Sequence, residues 1–186
     1  MKKISIAVTC FLGVTCSTAF AENNDWYAEA AYGVNNVTPS DSVSKYTPGV
    51  ARLTVGKVVA ENWAIEGLLT QGITSSTAAY SSTYDVKIQS NTGYGFAVRP
   101  FIKVTDDLEL YGRIGWMQNN TTVTGYLASS GATLSTEDYS WSQYLGSVGV
   151  AYKFNQNFSA TLDYTTLTKR DDVTVTQTAI GVRYNF

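Results

Sequence analysis

Residues 179–186 alternate without a break. Ile180, Val182, Tyr184 and Phe186 share one parity, and Ala179, Gly181, Arg183 and Asn185 share the other. A β-strand sends successive side chains to opposite faces. This segment is therefore read as a strand with one apolar, aromatic face and one small, polar or charged face. The same pattern recurs along the chain between turn-rich stretches, so a fold must be found that gives every strand one greasy face and one polar face.

Eight such segments can be read. Residues 26–35 set Trp26, Ala28, Ala30, Tyr32 and Val34 against Tyr27, Glu29, Ala31, Gly33 and Asn35. Residues 50–59 set Ala51, Leu53 and Val55 against Arg52, Thr54 and Gly56, with Lys57 on the apolar face. A third strand starts at Trp63 and sets Ile65, Gly67 and Leu69 against Glu66, Leu68 and Thr70. Residues 84–104 set Tyr94, Phe96, Val98 and Ile102 against Gly93, Gly95, Ala97 and Arg99. Residues 108–123 set Leu108, Leu110, Ile114 and Trp116 against Glu109, Tyr111, Arg113 and Gly115. Residues 139–154 set Tyr144, Val148, Val150, Tyr152 and Phe154 against Ser147, Gly149, Ala151 and Lys153. The seventh starts at Phe158 and sets Ala160, Leu162 and Tyr164 against Ser159, Thr161 and Asp163, and residues 173–186 close the set.

Connections alternate in length. Glu61-Asn62, residues 105–107 and residues 155–157 are short, whereas residues 36–48, 74–83 and 119–138 are long and rich in Ser, Thr, Asn and Gly. A further brief connection is read at 168–172. Short turns on one side and long loops on the other are the outer-membrane pattern, with both termini on the periplasmic side. No segment after the N-terminal region has the run of 18 or more apolar residues that a membrane helix needs. A chain crossing a membrane without helices must close its strands, because lipid satisfies no backbone group. The composition agrees, with thirteen tyrosines, fifteen glycines and three prolines. A secreted soluble barrel would turn the aromatic face inward. Eight strands enclose barely enough room for ordinary side chains, so Trp26, Trp63, Trp116, Tyr152, Phe154 and their neighbours would not fit. The expectation is an all-β, eight-stranded antiparallel up-and-down transmembrane β-barrel over residues 22–186.

Residues 1–21 read as a signal peptide. Lys2 and Lys3 form a cationic start, residues 4–14 are mostly apolar, and Ala19-Phe20-Ala21 offers a cleavage site with the cut after Ala21. A lipoprotein reading would use Cys16, but Gly13-Val14-Thr15 before it is a poor lipobox. Cys10 and Cys16 both lie in the removed segment, leaving no thiol for disulfide or thiolate chemistry. Loss of Lys2 and Lys3 makes the net charge of −2 more negative. A nucleic-acid partner would require a basic face, so none is expected.

Residues 99–115, from Arg99-Pro100-Phe101 through the Thr105-Asp106-Asp107-Leu108 turn to Tyr111-Gly112-Arg113-Ile114-Gly115, resemble the central hairpin of the OmpA-type transmembrane domain. Weaker similarity in strand order and in the Gly-Val-Arg-Tyr-Asn-Phe ending extends over the mature chain and is shared with the small OmpX- and Ail-like barrels. The chain stops at Phe186, so the peptidoglycan-binding domain of full OmpA proteins is not expected. The resemblance implies the outer membrane of a Gram-negative bacterium as location. It also implies a lumen charge cluster, which here falls on Glu66, Arg99, Glu109 and Arg113, with Arg99 where the family has lysine. By parity Glu29, Arg52, Lys153, Asp163 and Arg183 also point inward, and charges in a low-dielectric lumen must pair. Such a cluster fills a polar core or acts as an ion gate, and the former reading is favoured. The ending resembles the signal read by the barrel-assembly machinery, carried here by Gly181, Val182, Tyr184 and Phe186, although Ala179 stands where a polar residue is usual.

Enzymatic outer-membrane barrels use histidine as base or proton shuttle, and this chain has no histidine. No cofactor and no metal site are expected. Asp106-Asp107 and Asp171-Asp172 read as solvated turn formers, and Gly93-Tyr94-Gly95 precedes no helix and is no phosphate loop. Two function classes remain. One is a non-catalytic, monomeric barrel that supports membrane integrity or presents loops for adhesion or another extracellular ligand, with outer-membrane lipid and lipopolysaccharide as its surroundings. The alternative is a narrow passive pore.

Overall fold

The computed structural model describes residues 25–39, 45–170 and 173–186. The expected signal peptide with Ala19 and Ala21, and Asp171 and Asp172, expected as turn formers, lie outside the described residues. Nine strands account for nearly all of the rest: β1 (Trp26–Pro39), β2 (Gly49–Ala60), β3 (Trp63–Gly72), β4 (Ser75–Ala79), β5 (Tyr84–Lys103), β6 (Leu108–Leu127), β7 (Thr133–Lys153), β8 (Phe158–Arg170) and β9 (Val173–Asn185). All pairings between these strands are antiparallel.

The strand order is β3-β2-β1-β9-β8-β7-β6-β5-β4, and β3 also pairs with β5. The line of pairings therefore returns on itself, and β4 stands as an extra strand on the outer part of β5. The expected count of eight strands is corrected to nine. The extra strand lies inside the stretch 74–83, which the sequence presents as a loop. Ser75–Ala79 carries no apolar alternation, and only its ladder to β5, from Ser75↔Gln89 to Ala79↔Asp85, makes it a strand. Two other expected loops shrink for the same reason. β1 runs on to Pro39, and β6 and β7 remain paired as far as Tyr126↔Thr133. These extensions lie beyond the lipid edge, so selection for a lipid-facing apolar side is absent and the sequence shows no period.

Below these extensions, burial follows parity. In β3 the sequence of exposed and buried residues alternates strictly from Trp63 to Gln71. Ile114 and Tyr144 are each 71% exposed, Val148 67% and Ile180 63%, all on the outward parity. An apolar surface of this extent, running round the whole ring, is incompatible with a soluble monomer and suits a lipid belt. Aromatic side chains mark both edges of the belt. At the terminal end Phe154 stacks on Phe158 (6.2 Å between centroids), Phe158 meets Tyr184 (4.9 Å) and Tyr184 meets Phe186 edge-on (5.1 Å). Lys57 lies 5.2 Å over the Trp26 ring at the same level. At the opposite end Trp116 packs against Tyr94 and Phe96. One step further out the outward positions turn polar: Gln71 accepts from Thr92 (3.1 Å), and Gln118 bonds Ser140 (2.6 Å) and Ser142. The belt ends there.

The turns at the terminal end are short and self-bonded. Thr105 Oγ1 accepts the Asp107 and Leu108 amides (3.3 and 3.0 Å), and Asn155 Oδ1 accepts those of Asn157 and Phe158 (3.0 and 2.8 Å). Phe186 N donates to Trp26 O at 3.0 Å, so the two chain ends meet at this rim.

Candidate functional site

The interior is layered. Nearest the terminal rim, Tyr27, Ala64, Phe101, Tyr111 and Ala151 pack as one apolar cluster. Two glycines make room for its rings. A Cβ at Gly56 would overlap the Tyr27 ring, and one at Gly149 would stand 2.5 Å from Tyr111 Cζ. Gly56→Ala is expected to cost about 1–3 kcal/mol through overpacking, read as a lower urea midpoint for the protein refolded in lipid vesicles. Gly146→Ala serves as control, because nothing lies within 4 Å of a Cβ there, and its midpoint should not move.

Directly above the rings sits a continuous ion-pair network. Glu29 comes from β1, Arg52 from β2, Glu66 from β3, Arg99 from β5, Glu109 and Arg113 from β6, Asp163 from β8 and Arg183 from β9. Arg113 is its centre: Nε donates to Glu66 Oε2 (2.6 Å), Nη1 to Asp163 Oδ2 (2.9 Å) and Nη2 to Glu29 Oε1 (3.1 Å). Arg52 bonds Asp163 and Glu29 (3.1 Å to the latter) and reaches Gln177 (3.2 Å). Arg99 bonds Glu109 and lies 3.5 Å from Glu66, and Arg183 joins Glu109 (2.9 Å) to Glu29 (3.4 Å). The phenols below complete the carboxylate shells, Tyr27 donating to Glu66 (2.7 Å) and Tyr111 to Asp163 (3.3 Å). Their rings also face the cations, with the Arg99 guanidinium 4.2 Å from the Tyr111 centroid and that of Arg183 4.8 Å from Tyr27.

Glu66, Arg99, Glu109 and Arg113 thus lie side by side in the interior. They do not form a separate unit, since Glu29, Arg52, Asp163 and Arg183 share their partners. Parity identifies those four as inward, but only the ring closure shows that they converge at one level. Lys153, inward by parity, ends β7 and is exposed at the rim. Of the terminal motif, Gly181, Val182 and Tyr184 lie in β9 and Phe186 directly follows it. Val182 faces outward at 47% exposure, and Tyr184 and Phe186 join the aromatic edge described above. Gly181 faces the wall, where a Cβ would come 2.7 Å from both Ala30 O and Ala31 Cβ.

Above the charges, Leu68, Ala97, Met117, Leu145 and Leu167 form a second apolar cluster, with Val175 packed against it. Beyond them the interior opens as a cavity of about 290 Å³ toward the end away from the termini. No group of three or more His, Cys, Asp or Glu side chains that could hold a metal ion occurs among the described residues.

A one-sided lipid belt, two aromatic edges and a charged interior suit a strand-built outer-membrane protein. The sequence from residue 6 to 186 matches the model of the outer membrane protein β-barrel domain. The chain belongs to that family. It is a non-catalytic β-barrel of the outer membrane of a Gram-negative bacterium. No curated protein matches the sequence. Among solved structures, Ail, the attachment invasion locus protein of Yersinia pestis, is similar at 17% identity and a TM-score of 0.62, covering 89% of this chain and 100% of that one. Neisserial surface protein A is similar at 14% identity and a TM-score of 0.58, covering 88% and 98%. The N-terminal β-barrel domain of Pseudomonas aeruginosa OprF is similar at 12% identity and a TM-score of 0.56, covering 85% and 97%. At these identities the likeness is one of fold.

Proposed function

We propose that this barrel presents a polar wall of strands to a ligand outside the cell, and that the embedded ring anchors the wall and adds to outer-membrane integrity. The observation that carries the reading is the length of β5, β6 and β7. Past the polar edge at Gln118 and Ser142, β6 and β7 stay paired out to Tyr126 and Thr133, roughly 30 Å of strand at about 3.3 Å per residue. β5 and β4 extend the same sheet sideways. The wall exposes Tyr80 (63%), Leu134 (53%), Tyr84 (47%) and Tyr139 (42%) among Ser, Thr and Asn. Amphipathic tyrosines of this kind supply contact area at low entropic cost.

Ail has also been crystallised with the heparin analogue sucrose octasulfate. The wall of the present chain carries Asp85, Glu137 and Asp138 against Lys87, and its charge does not favour a polyanion. A protein surface of neutral or basic character suits it better. The interior supports anchoring over conduction, because the Tyr27, Phe101 and Tyr111 layer and the ion pairs fill the lower lumen. Residues 1–21 serve in this reading as the signal peptide, cleaved after Ala21. Gly181, Val182, Tyr184 and Phe186 act as the signal for the barrel-assembly machinery, and the folded chain works as a monomer among lipid and lipopolysaccharide.

Replacing residues 121–139 by a short turn is expected to leave a folded, heat-modifiable barrel. Non-adherent bacteria expressing it should lose most of the adherence to immobilised extracellular-matrix proteins that the intact barrel confers. Equal adherence with and without the hairpin, or none with either, would count against the surface-ligand reading.

A further inference from the structure

The charged layer explains the lower half of the lumen, but the upper half has a different chemistry. Inward positions there mix apolar and polar groups, with Val50, Leu68, Met117, Leu145, Leu167 and Val175 beside Thr70, Gln143, Thr165 and Gln177 around the cavity of about 290 Å³. A lumen that served only to be filled with water would not need the apolar ones. A shift of register between Ser90 and Gly93 in the β5–β6 ladder adds to this lining. A bulge moves later side chains to the other face of a strand, and Ile88 and Ser90, of outward parity when counted from Tyr94, line the cavity.

Two residues of the lining carry a buried donor with no acceptor among the described residues: Nε of Arg52 and Nδ2 of Asn119. Arg52 is only 5% exposed. A buried donor left without an acceptor carries the cost of its lost hydration, and these two stand beside the apolar side chains of the lining. Pockets that hold small molecules combine an apolar lining with a few placed polar groups, and begin at about 300 Å³. The charges below are matched, Glu29, Glu66, Glu109 and Asp163 against Arg52, Arg99, Arg113 and Arg183. The floor therefore adds no net charge of its own, and the two unmatched donors favour a ligand that brings a hydrogen-bond acceptor.

We propose that the outer half of the lumen is a binding site for a small amphiphile entering from the extracellular side. Its apolar chain or ring lies among Leu68, Met117, Leu145, Leu167 and Val175, and its acceptor end, a carboxylate or carbonyl, meets Asn119 and Arg52.

Trp141 lines the cavity, whereas Trp26 and Trp63 are exposed on the lipid face and Trp116 shares the outward parity of β6. This separation supplies the test. The protein with Trp26→Phe, Trp63→Phe and Trp116→Phe keeps Trp141 as its single tryptophan. Refolded in lipid nanodiscs, it is titrated with ω-bromohexanoate, whose bromine quenches indole on contact. Saturable quenching is expected for Trp141, and a non-saturating response for a companion protein that keeps Trp116 alone. Val175→Phe, which fills the cavity, should abolish saturation. Asn119→Asp, which removes the donor and adds a repelling charge, should weaken half-saturation at least tenfold. Heat-modifiable migration shows which variants are folded, and either folded variant alone decides the matter. Non-saturating quenching of Trp141, or saturation unchanged by the folded variants, would overturn the proposal.

Discussion

Arg113→Ala is expected to lower the stability of the folded barrel by about 3–5 kcal/mol, the usual cost of leaving buried charge without its partner. Arg113 is 1% exposed and reaches Glu66, Asp163 and Glu29 at 2.6, 2.9 and 3.1 Å. The three carboxylates do not suffer equally. Asp163 keeps Arg52, and Glu29 keeps Arg52 and Arg183. Among the described residues, Glu66 keeps only the Tyr27 hydroxyl and Arg99 at 3.5 Å. Most of the loss therefore falls on Glu66. The double variant Arg113→Ala with Glu66→Gln should recover a substantial part of it, whereas Arg113→Ala with Glu109→Gln should recover nothing, because Glu109 is held by Arg99 and Arg183. Arg113→Lys should fall between wild type and alanine, since an ammonium cannot span three carboxylates as a planar fork does. Urea unfolding in lipid vesicles, followed by heat-modifiable migration, measures each variant. Equal recovery by both second substitutions would mean that the network acts through bulk and not through pairing.

The parts of this molecule legible in its sequence are those that meet lipid. Wherever one face is in hydrocarbon, a strict period of two results, and strands from Trp26 to Phe186 can be read from it together with the side each residue faces. Above the lipid edge the constraint vanishes. β4, the outer part of β1 and the β6–β7 hairpin have no face in lipid, so their Ser- and Thr-rich sequences look like loops although they are hydrogen-bonded ladders. The charged layer was half legible. Parity sends Glu29, Arg52, Asp163 and Arg183 inward, but their meeting with Glu66 and Arg113 depends on how neighbouring strands are staggered, which alternation alone does not encode. The outer cavity was hidden for a related reason. Its apolar lining alternates with equally unremarkable outward residues, and the register shift at Ser90 and Gly93 leaves no mark in composition.

Deletion of Phe186 is expected to separate assembly from stability. In the finished barrel Phe186 contributes one backbone hydrogen bond, to Trp26 O at 3.0 Å, and one edge-on contact with Tyr184 at 5.1 Å. Each is worth about 0.5–1.5 kcal/mol. The ladder between β1 and β9 otherwise continues from Tyr27↔Asn185 to Pro39↔Val173 without it. Protein lacking Phe186, refolded from urea into lipid vesicles, should therefore unfold within about 1–3 kcal/mol of wild type, these two contacts together. In cells the outcome should be far more severe. If the aromatic end is what the assembly machinery reads, most of the truncated chain stays in the periplasm and the heat-modifiable folded band is largely lost from outer-membrane fractions. Replacement by tyrosine keeps the aromatic ring and should restore most of the band, whereas alanine should not. A truncated chain that inserts normally in cells would show that the terminal residue is no signal. One that fails equally in vesicles would assign its effect to the closure of β9 on β1.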